Sequence, residues 1–447
     1  MIELSPQIVT VIMITGVLLG VMTGYPLGIM VGGLGLIVGC LIFGENVTLH
    51  IIYTRVYSLL TNYPLMAVPL FTFMGVLVER SGIAEGLFTA LHQCIGGIRG
   101  GLAVSTVLFG TVLAACLGVI TASVTMLTII ALPPLLKRGY DKSLATGSCC
   151  AGGTLGILIP PSVMLVVYGP MALISVGKLF MGAIFPGLIL SGLYCSYILI
   201  QCFLHPEMGP PAAAEELKVP FVKKMTNLLT SLFPPVVLIM GVLGSIFLGV
   251  APPTEAAAVG GFASLLLALA YRKFSWRLLK ETTLETLRVS GFVLLIGSLA
   301  YAFVGVFIAA GCDDVVAAIV LGAPGGRWGA FVIVMFLVFI LGMFIDWIGI
   351  LFIIVPILAP IIPVLGFDPL WFAMMVCINL QMAFLSPPFA PAIFVCRGTA
   401  APELEVTSGN IIRGVVPFIL LIMIGLGLCV AFPQIILWLP GQMVKPW

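Results

Sequence analysis

The chain has 447 residues, 61% of them hydrophobic and only 8% charged, where a soluble domain carries about 25% charged residues. Such a sequence cannot cover itself with polar surface, which excludes a soluble enzyme or binding module and implies an all-α membrane protein that crosses the bilayer many times. The net charge of +2, from charges too few and too dispersed to form a basic face, excludes a nucleic-acid-binding surface.

A membrane span needs about 20 apolar residues. Residues 1–7 lack the positive segment that opens a signal peptide, so the first apolar run, 8–24, reads as a retained span. Residues 25–44 are the second, divided from the first at Gly24-Tyr25-Pro26. The more polar segment 45–62 reads as an interfacial helix. Residues 63–78 form the third span, and 79–100 are again mixed and interfacial.

Residues 101–136 are apolar and uncharged, too long for one helix and barely enough for two. The small, polar centre Gly118-Val119-Ile120-Thr121-Ala122-Ser123 predicts a re-entrant hairpin that dips in and returns. The run 143–168 follows, with Gly152-Gly153-Thr154-Leu155-Gly156-Ile157-Leu158-Ile159-Pro160-Pro161-Ser162 at its middle. Glycines and adjacent prolines break helices. In lipid such a break is tolerated only where it is buried in protein or lines a cavity. Residues 179–203 complete this half.

A proline-rich polar linker, 205–228, divides the chain. Beyond it, 232–249 and 254–271 form a pair, 272–288 is a basic amphipathic segment, 290–310 is a span, and 312–327 is interfacial. Residues 328–365 form a second long apolar run, interrupted at Gly342-Met343-Phe344-Ile345-Asp346. A second broken span, 370–395, carries its break between Asn379 and Phe389, and 411–432 is the last span.

A shift of 227 residues superimposes Pro133, Gly139, Asp141, Pro160 and Pro161 on Pro360, Gly366, Asp368, Pro387 and Pro388. Chance similarity between apolar segments does not keep helix breakers in step. The chain therefore reads as two repeats, 1–204 and 229–447, each of about five spans plus one re-entrant hairpin. Five is odd, so the repeats are inverted, an arrangement typical of secondary transporters.

Charge tests the topology. With the N-terminus outside, the inner segments carry Arg80, Arg99, Lys137, Arg138, Lys142, Lys218, Lys223, Lys224, Arg272, Lys273, Arg277, Lys280, Arg288, Arg397 and Arg413. Only Arg55, Lys178, Arg327 and Lys445 lie outside.

Half-helix ends inside a membrane carry fixed partial charges: N-termini favour anions, and C-terminal carbonyls and unwound backbone favour cations. Two hairpin tips facing two breaks thus make two polar spots. The first gathers Gly118, Thr121 and Ser123 with Gly152, Gly153 and Thr154. The second gathers Gly342, Asp346 and Gly349 with Asn379 and Gln381. Carbonyl, hydroxyl and amide oxygens form a hard, weakly charged cage that suits Na+. Pro160, Pro161 and Ser162, with Ser386, Pro387 and Pro388, are the expected substrate contacts. The competing reading of the small residues is close helix packing. Asp346, the only acid deep in an apolar run, could be a cation ligand, a proton carrier or a helix cap. Thr254-Glu255 after Pro253 reads as a helix start, and Arg397 as a topology anchor or a partner for a substrate carboxylate.

Nothing points to an enzyme. There is no GxxxxGK[ST] loop, no nucleophile–base pair and no HExxH. Three dispersed histidines have no metal-ligand spacing, and eleven cysteines without a CxxC read as buried apolar residues.

Several of these stretches resemble the large membrane subunit of tripartite ATP-independent periplasmic (TRAP) transporters. They are Lys137-Arg138-Gly139-Tyr140-Asp141, the run from Gly153 to Ser162, Ser175-Val176-Gly177-Lys178-Leu179-Phe180, Pro253-Thr254-Glu255-Ala256-Ala257-Ala258, and Gly342 to Asp346. The resemblance covers nearly the whole chain. It implies a sodium-coupled importer of small organic acids in a bacterial inner membrane, with no cofactor beyond Na+. It also implies two partners, a small four-helix membrane subunit and a periplasmic substrate-binding protein. The implied fold is an elevator whose moving domain is built mostly from 101–168 and 328–395. Many members carry Ser-Gly-Ser-Ser at the first hairpin tip. This chain has Leu117-Gly118-Val119-Ile120-Thr121, which leaves the first cation site to carbonyls and, with Asp346-Trp347, looks more like the mannitol/chloroaromatic branch. The alternatives are a stand-alone ion-coupled dicarboxylate or citrate carrier, and a channel or membrane scaffold.

Overall fold

The structure, a computed structural model, describes residues 3–82, 85–212, 220–388 and 390–444. Lys218, Lys445 and Phe389, which figure in the expectations above, lie outside the described residues. Among the described residues the regular elements are all helical, and eight helices are long and apolar enough to cross a membrane. Shorter apolar helices stand beside them. In lipid this is the expected economy of backbone hydrogen bonds, because a helix satisfies them within one segment.

One group of helices is built around a single long one, Trp276–Ala309. It packs along Leu27–Phe43, Glu45–Leu60 and Ala67–Arg80, while Pro253–Ala270 covers Ala67–Arg80 from the other side. The sequence suggested a basic surface segment at 272–288 followed by a separate span. The structure instead runs both into one helix of 34 residues, roughly 51 Å long. Ser275 caps its start by accepting from Leu278 N at 3.0 Å, and neither glycine nor proline follows until Gly291. A bilayer core is about 30 Å thick, so the first turns project beyond it. There Arg277 pairs with Glu281 at 2.8 Å, and Arg80 bridges Glu281 at 3.1 Å and Glu285 at 3.7 Å. The linker also ends early: Phe221–Phe247 is helical from Pro220 onward.

The second group holds the irregular elements. Residues 101–136 fold as a hairpin of Gly101–Leu117 and Ile120–Ile130. The reversal falls at Gly118, whose φ of 62° is left-handed and free of penalty only for glycine. Lys142–Thr154 follows, then one 3₁₀ turn at Leu155–Ile157, an irregular stretch to Ser162, and the helix Val163–Ala172. Later in the chain Gly326–Phe344 and Trp347–Leu358 form a second hairpin. Pro369–Ala383 and Pro391–Thr399 flank a second irregular stretch. Each terminal half-helix crosses to the other half of the chain. Val163–Ala172 packs on Trp347–Leu358, and Pro391–Thr399 packs on Ile120–Ile130.

Val176–Leu204 and Ser408–Ala431 enclose this group. Ser408–Ala431 crosses Lys142–Thr154 at Gly147 and Gly414. A Cβ on Gly147 would stand 2.3 Å from Gly414 O, so the backbones approach as closely as only glycine permits.

Candidate functional site

Where the two broken spans begin, at their outer ends, an aspartate caps each. Asp141 Oδ1 accepts from Ser143 N and Leu144 N at 2.9 Å, and Asp368 Oδ1 accepts from Trp371 N at 3.0 Å. Four other helices begin deep in the protein: Ile120–Ile130, Val163–Ala172, Trp347–Leu358 and Pro391–Thr399. Their N-cap residues are Val119, Ser162, Asp346 and Ala390, and none of them makes a side-chain capping bond. Valine and alanine have no group to offer. The Ser162 hydroxyl is turned back to donate to Ile157 O, closing the break.

All four starts open on one cavity of about 280 Å³, at Ile120 and Thr121, Val163, Trp347 and Ile348, and Pro391. Each helix N-terminus carries a partial positive charge of roughly half an elementary unit. Backbone carbonyls already take two of the first-turn donors, since Val163 N donates to Gly118 O at 3.4 Å and Ala392 N to Phe384 O at 3.4 Å, and Pro391 has no N–H. The opposite wall is the long helix, which contributes Arg288, Val289, Phe292 and Val293. Arg288 Nη1 lies 3.6 Å from Glu285, the same carboxylate that Arg80 approaches, and its side chain is 77% exposed. The cavity therefore has a cationic side chain at one wall, four positive helix ends around it and one carboxylate, that of Asp346.

The predicted residues distribute as follows. Thr121 and Asp346 line this cavity. Gly118 lies against Pro161 O, and its own carbonyl accepts from Val163 N at 3.4 Å. Ser123 Oγ donates to Val119 O within its helix and touches the open side of Gly156. Gly152 and Gly153 pack on the first hairpin, Gly152 O facing Gly110 and Gly153 facing Val124. Gly342 faces Ala383, and Asn379 Nδ2 donates to Met335 O at 2.6 Å, tying the second broken span to its hairpin. The open side of Gly349 meets Leu27 and Ile345. Ser386 donates to Met382 O at 3.0 Å. Pro160 and Pro161 are buried, whereas Pro387 and Pro388 are exposed.

Thr154 and Gln381 come together instead of joining separate clusters. Gln381 Nε2 is 3.5 Å from Thr154 Oγ1 and 3.5 Å from Tyr194 Oη, while Gln381 Oε1 is buried without a partner. Positions 154 and 381 differ by 227, the register of the sequence repeat.

Arg288 is the site residue that the sequence did not single out. In the chain it is one charge among several in a basic segment. Only its place on the lining of the cavity that Asp346 also lines separates it from them, and no local signal carries that.

The comparisons with known proteins agree with this architecture. Residues 12–435 match the family model described as the tripartite ATP-independent periplasmic transporter, DctM component. The C4-dicarboxylate TRAP transporter large permease protein DctM of Pseudomonas aeruginosa is 30% identical over 390 residues, 87% of this chain and 88% of that protein. The ectoine/5-hydroxyectoine TRAP transporter large permease protein UehC of Ruegeria pomeroyi is 28% identical, over 89% of this chain and 91% of that protein. Among solved structures, the Alcanivorax borkumensis YdaH transporter aligns with a TM-score of 0.68 at 15% identity, over 96% of this chain and 99% of that one. At that identity it speaks to the fold alone. Eight helices long and apolar enough to cross a membrane, and a family match over nearly the full length, lead to one conclusion: the chain is a multi-pass inner-membrane transporter and not an enzyme, and it belongs to the large permease (DctM) family of TRAP transporters.

Proposed function

We propose that the chain is the membrane permease of a sodium-coupled importer of small organic acids, which receives its substrate from a periplasmic binding protein and works beside a small membrane subunit. The observation that carries the anionic substrate is the convergence of four helix N-termini, none with a side-chain cap, and of Arg288 on one cavity. Its 280 Å³ lies just below the roughly 300–1,000 Å³ of drug-sized sites, which favours a small acid of the C4-dicarboxylate kind.

Sodium is supported by the chemistry of the oxygens. Among the described residues no cluster of three or more His, Cys, Asp or Glu is gathered to hold a metal. A cation would be held by carbonyl, hydroxyl and amide oxygens, and Gln381 Oε1, buried and unpartnered beside Thr154, is such an oxygen.

The two halves, 1–204 and 229–447, are proposed to be inverted repeats about an axis through Thr154 and Gln381. The hairpins and broken spans would form a domain that moves as an elevator against the long Trp276–Ala309 helix and its neighbours. The mutual crossing of the half-helices supports this. The Leu117–Thr121 tip and Asp346-Trp347 support placement near the mannitol/chloroaromatic branch.

The test is reconstitution. Proteoliposomes holding both membrane subunits, with the cognate binding protein outside, take up substrate only under an inward sodium gradient. Uptake that ignores sodium would remove the coupling, and uptake without the binding protein would remove the three-part arrangement.

A further inference from the structure

A second cavity, of about 160 Å³, lies behind the second hairpin, and every residue lining it is apolar. Its floor is made by Phe303 and Phe307 of the long helix, each 1% exposed, and by Ile350 and Ile353 of the hairpin's second limb. Its mouth is made by Leu18 of the Pro6–Met22 helix, 40% exposed, and Leu337 of Gly326–Phe344, 47% exposed. These helices are apolar membrane elements, so the medium at the mouth is hydrocarbon. Water needs about two to four polar partners to enter a cavity, and this one offers none. An empty void would forfeit dispersion contacts on every wall.

We infer that an acyl chain of a bilayer lipid enters between Leu18 and Leu337 and fills this cavity. It lies against Ile345, which precedes Asp346, and Gly349 of the following helix, so it touches the hairpin tip next to the residues that line the polar cavity. The inference concerns occupancy and does not depend on the proposed substrate or coupling ion.

The experiment uses the full chain in liposomes of phosphatidylcholine that carries a mid-chain diazirine. Irradiation followed by peptide mass spectrometry maps the adducts. Adducts are expected at the mouth, on Leu18 and Leu337, and also on the floor, on Phe307 and Ile353. Val17→Phe fills the cavity from a lining position. The displaced methylenes return to hydrocarbon, so the loss is one of dispersion contacts and space; floor adducts drop roughly twofold or more while mouth adducts persist. Phe307→Leu enlarges the cavity and raises floor labelling elsewhere on Ile353, which keeps the test decisive if Val17→Phe does not fold. Adducts confined to the mouth would overturn the inference. So would floor labelling that both variants leave unchanged, or floor labelling abolished when the small membrane subunit is added, which would assign the space to a partner side chain.

Discussion

Replacing Arg288 by Gln removes the cationic side chain from the polar cavity and leaves the four helix ends in place. A hydrogen bond to a charged group contributes about 1.5–3 kcal/mol. Arg288 belongs at the low end of that range, because its side chain is 77% exposed and already lies 3.6 Å from Glu285. A loss of about 1.5 kcal/mol corresponds to roughly a tenfold weaker affinity for a small carboxylate. Arg288→Lys keeps the charge but not the planar fork, so it recovers part of the loss. The assay is calorimetric titration of the purified permease with the carboxylate best retained by its binding protein, repeated with the corresponding amide. The charge-dependent difference between acid and amide shrinks in Arg288→Gln and returns partly in Arg288→Lys. Equal affinities for the acid in all three proteins would refute the assignment of Arg288 to the anion site.

Three further outcomes are expected. Gln381→Leu deletes the buried unpartnered oxygen beside Thr154; in reconstituted uptake its apparent sodium affinity drops roughly tenfold, or about 1.4 kcal/mol, with substrate affinity at saturating sodium unchanged. Gly147→Ala places a Cβ 2.3 Å from Gly414 O, an overpacking that costs about 1–3 kcal/mol. Its melting temperature falls, whereas that of Gly192→Ala, with nothing within 4 Å of the new Cβ, does not. Tyr140→Phe leaves Leu102 N without the hydroxyl it donates to at 3.2 Å, a loss of about 1–3 kcal/mol readable as a lower melting temperature. Burial pushes the Tyr140 phenol from 10.0 up to about 12. The folded state therefore holds this proton more tightly than the unfolded one, so its contribution is complete below pH 10 and is lost as pH rises through about 12. The Phe variant lacks that alkaline component.

Much of the architecture was legible locally. Glycine and proline act on their own backbone, so Gly118 and the Gly152–Pro161 run marked their irregular places without reference to any neighbour. Local reading also passed over Asp141 and Asp368 as helix caps, although a cap bonds only two or three residues ahead. It failed where a segment's polarity was read as its shape. The charges of 272–288 suggested a surface piece, but charge does not interrupt a helix, and Ser275 begins one that runs to Ala309.

The candidate site was legible in its parts and not in its groupings. Sequence spacing set Thr154 beside Gly152 and Gly153, and Gln381 beside Asn379. The fold turns the glycines toward the first hairpin and brings Thr154 to Gln381, because a helix sends neighbouring side chains to different faces. Gly349, chosen for its place near a polar tip, faces Leu27 and an apolar cavity for the same reason. By itself, then, the sequence determined the membrane setting and the breaks, both consequences of composition and local backbone chemistry. Only the tertiary structure decided that four helices begin around one cavity and that Arg288, far away in the chain, forms its wall. Charges and dipoles act through space, and their distances are set by packing between elements that the chain order does not join.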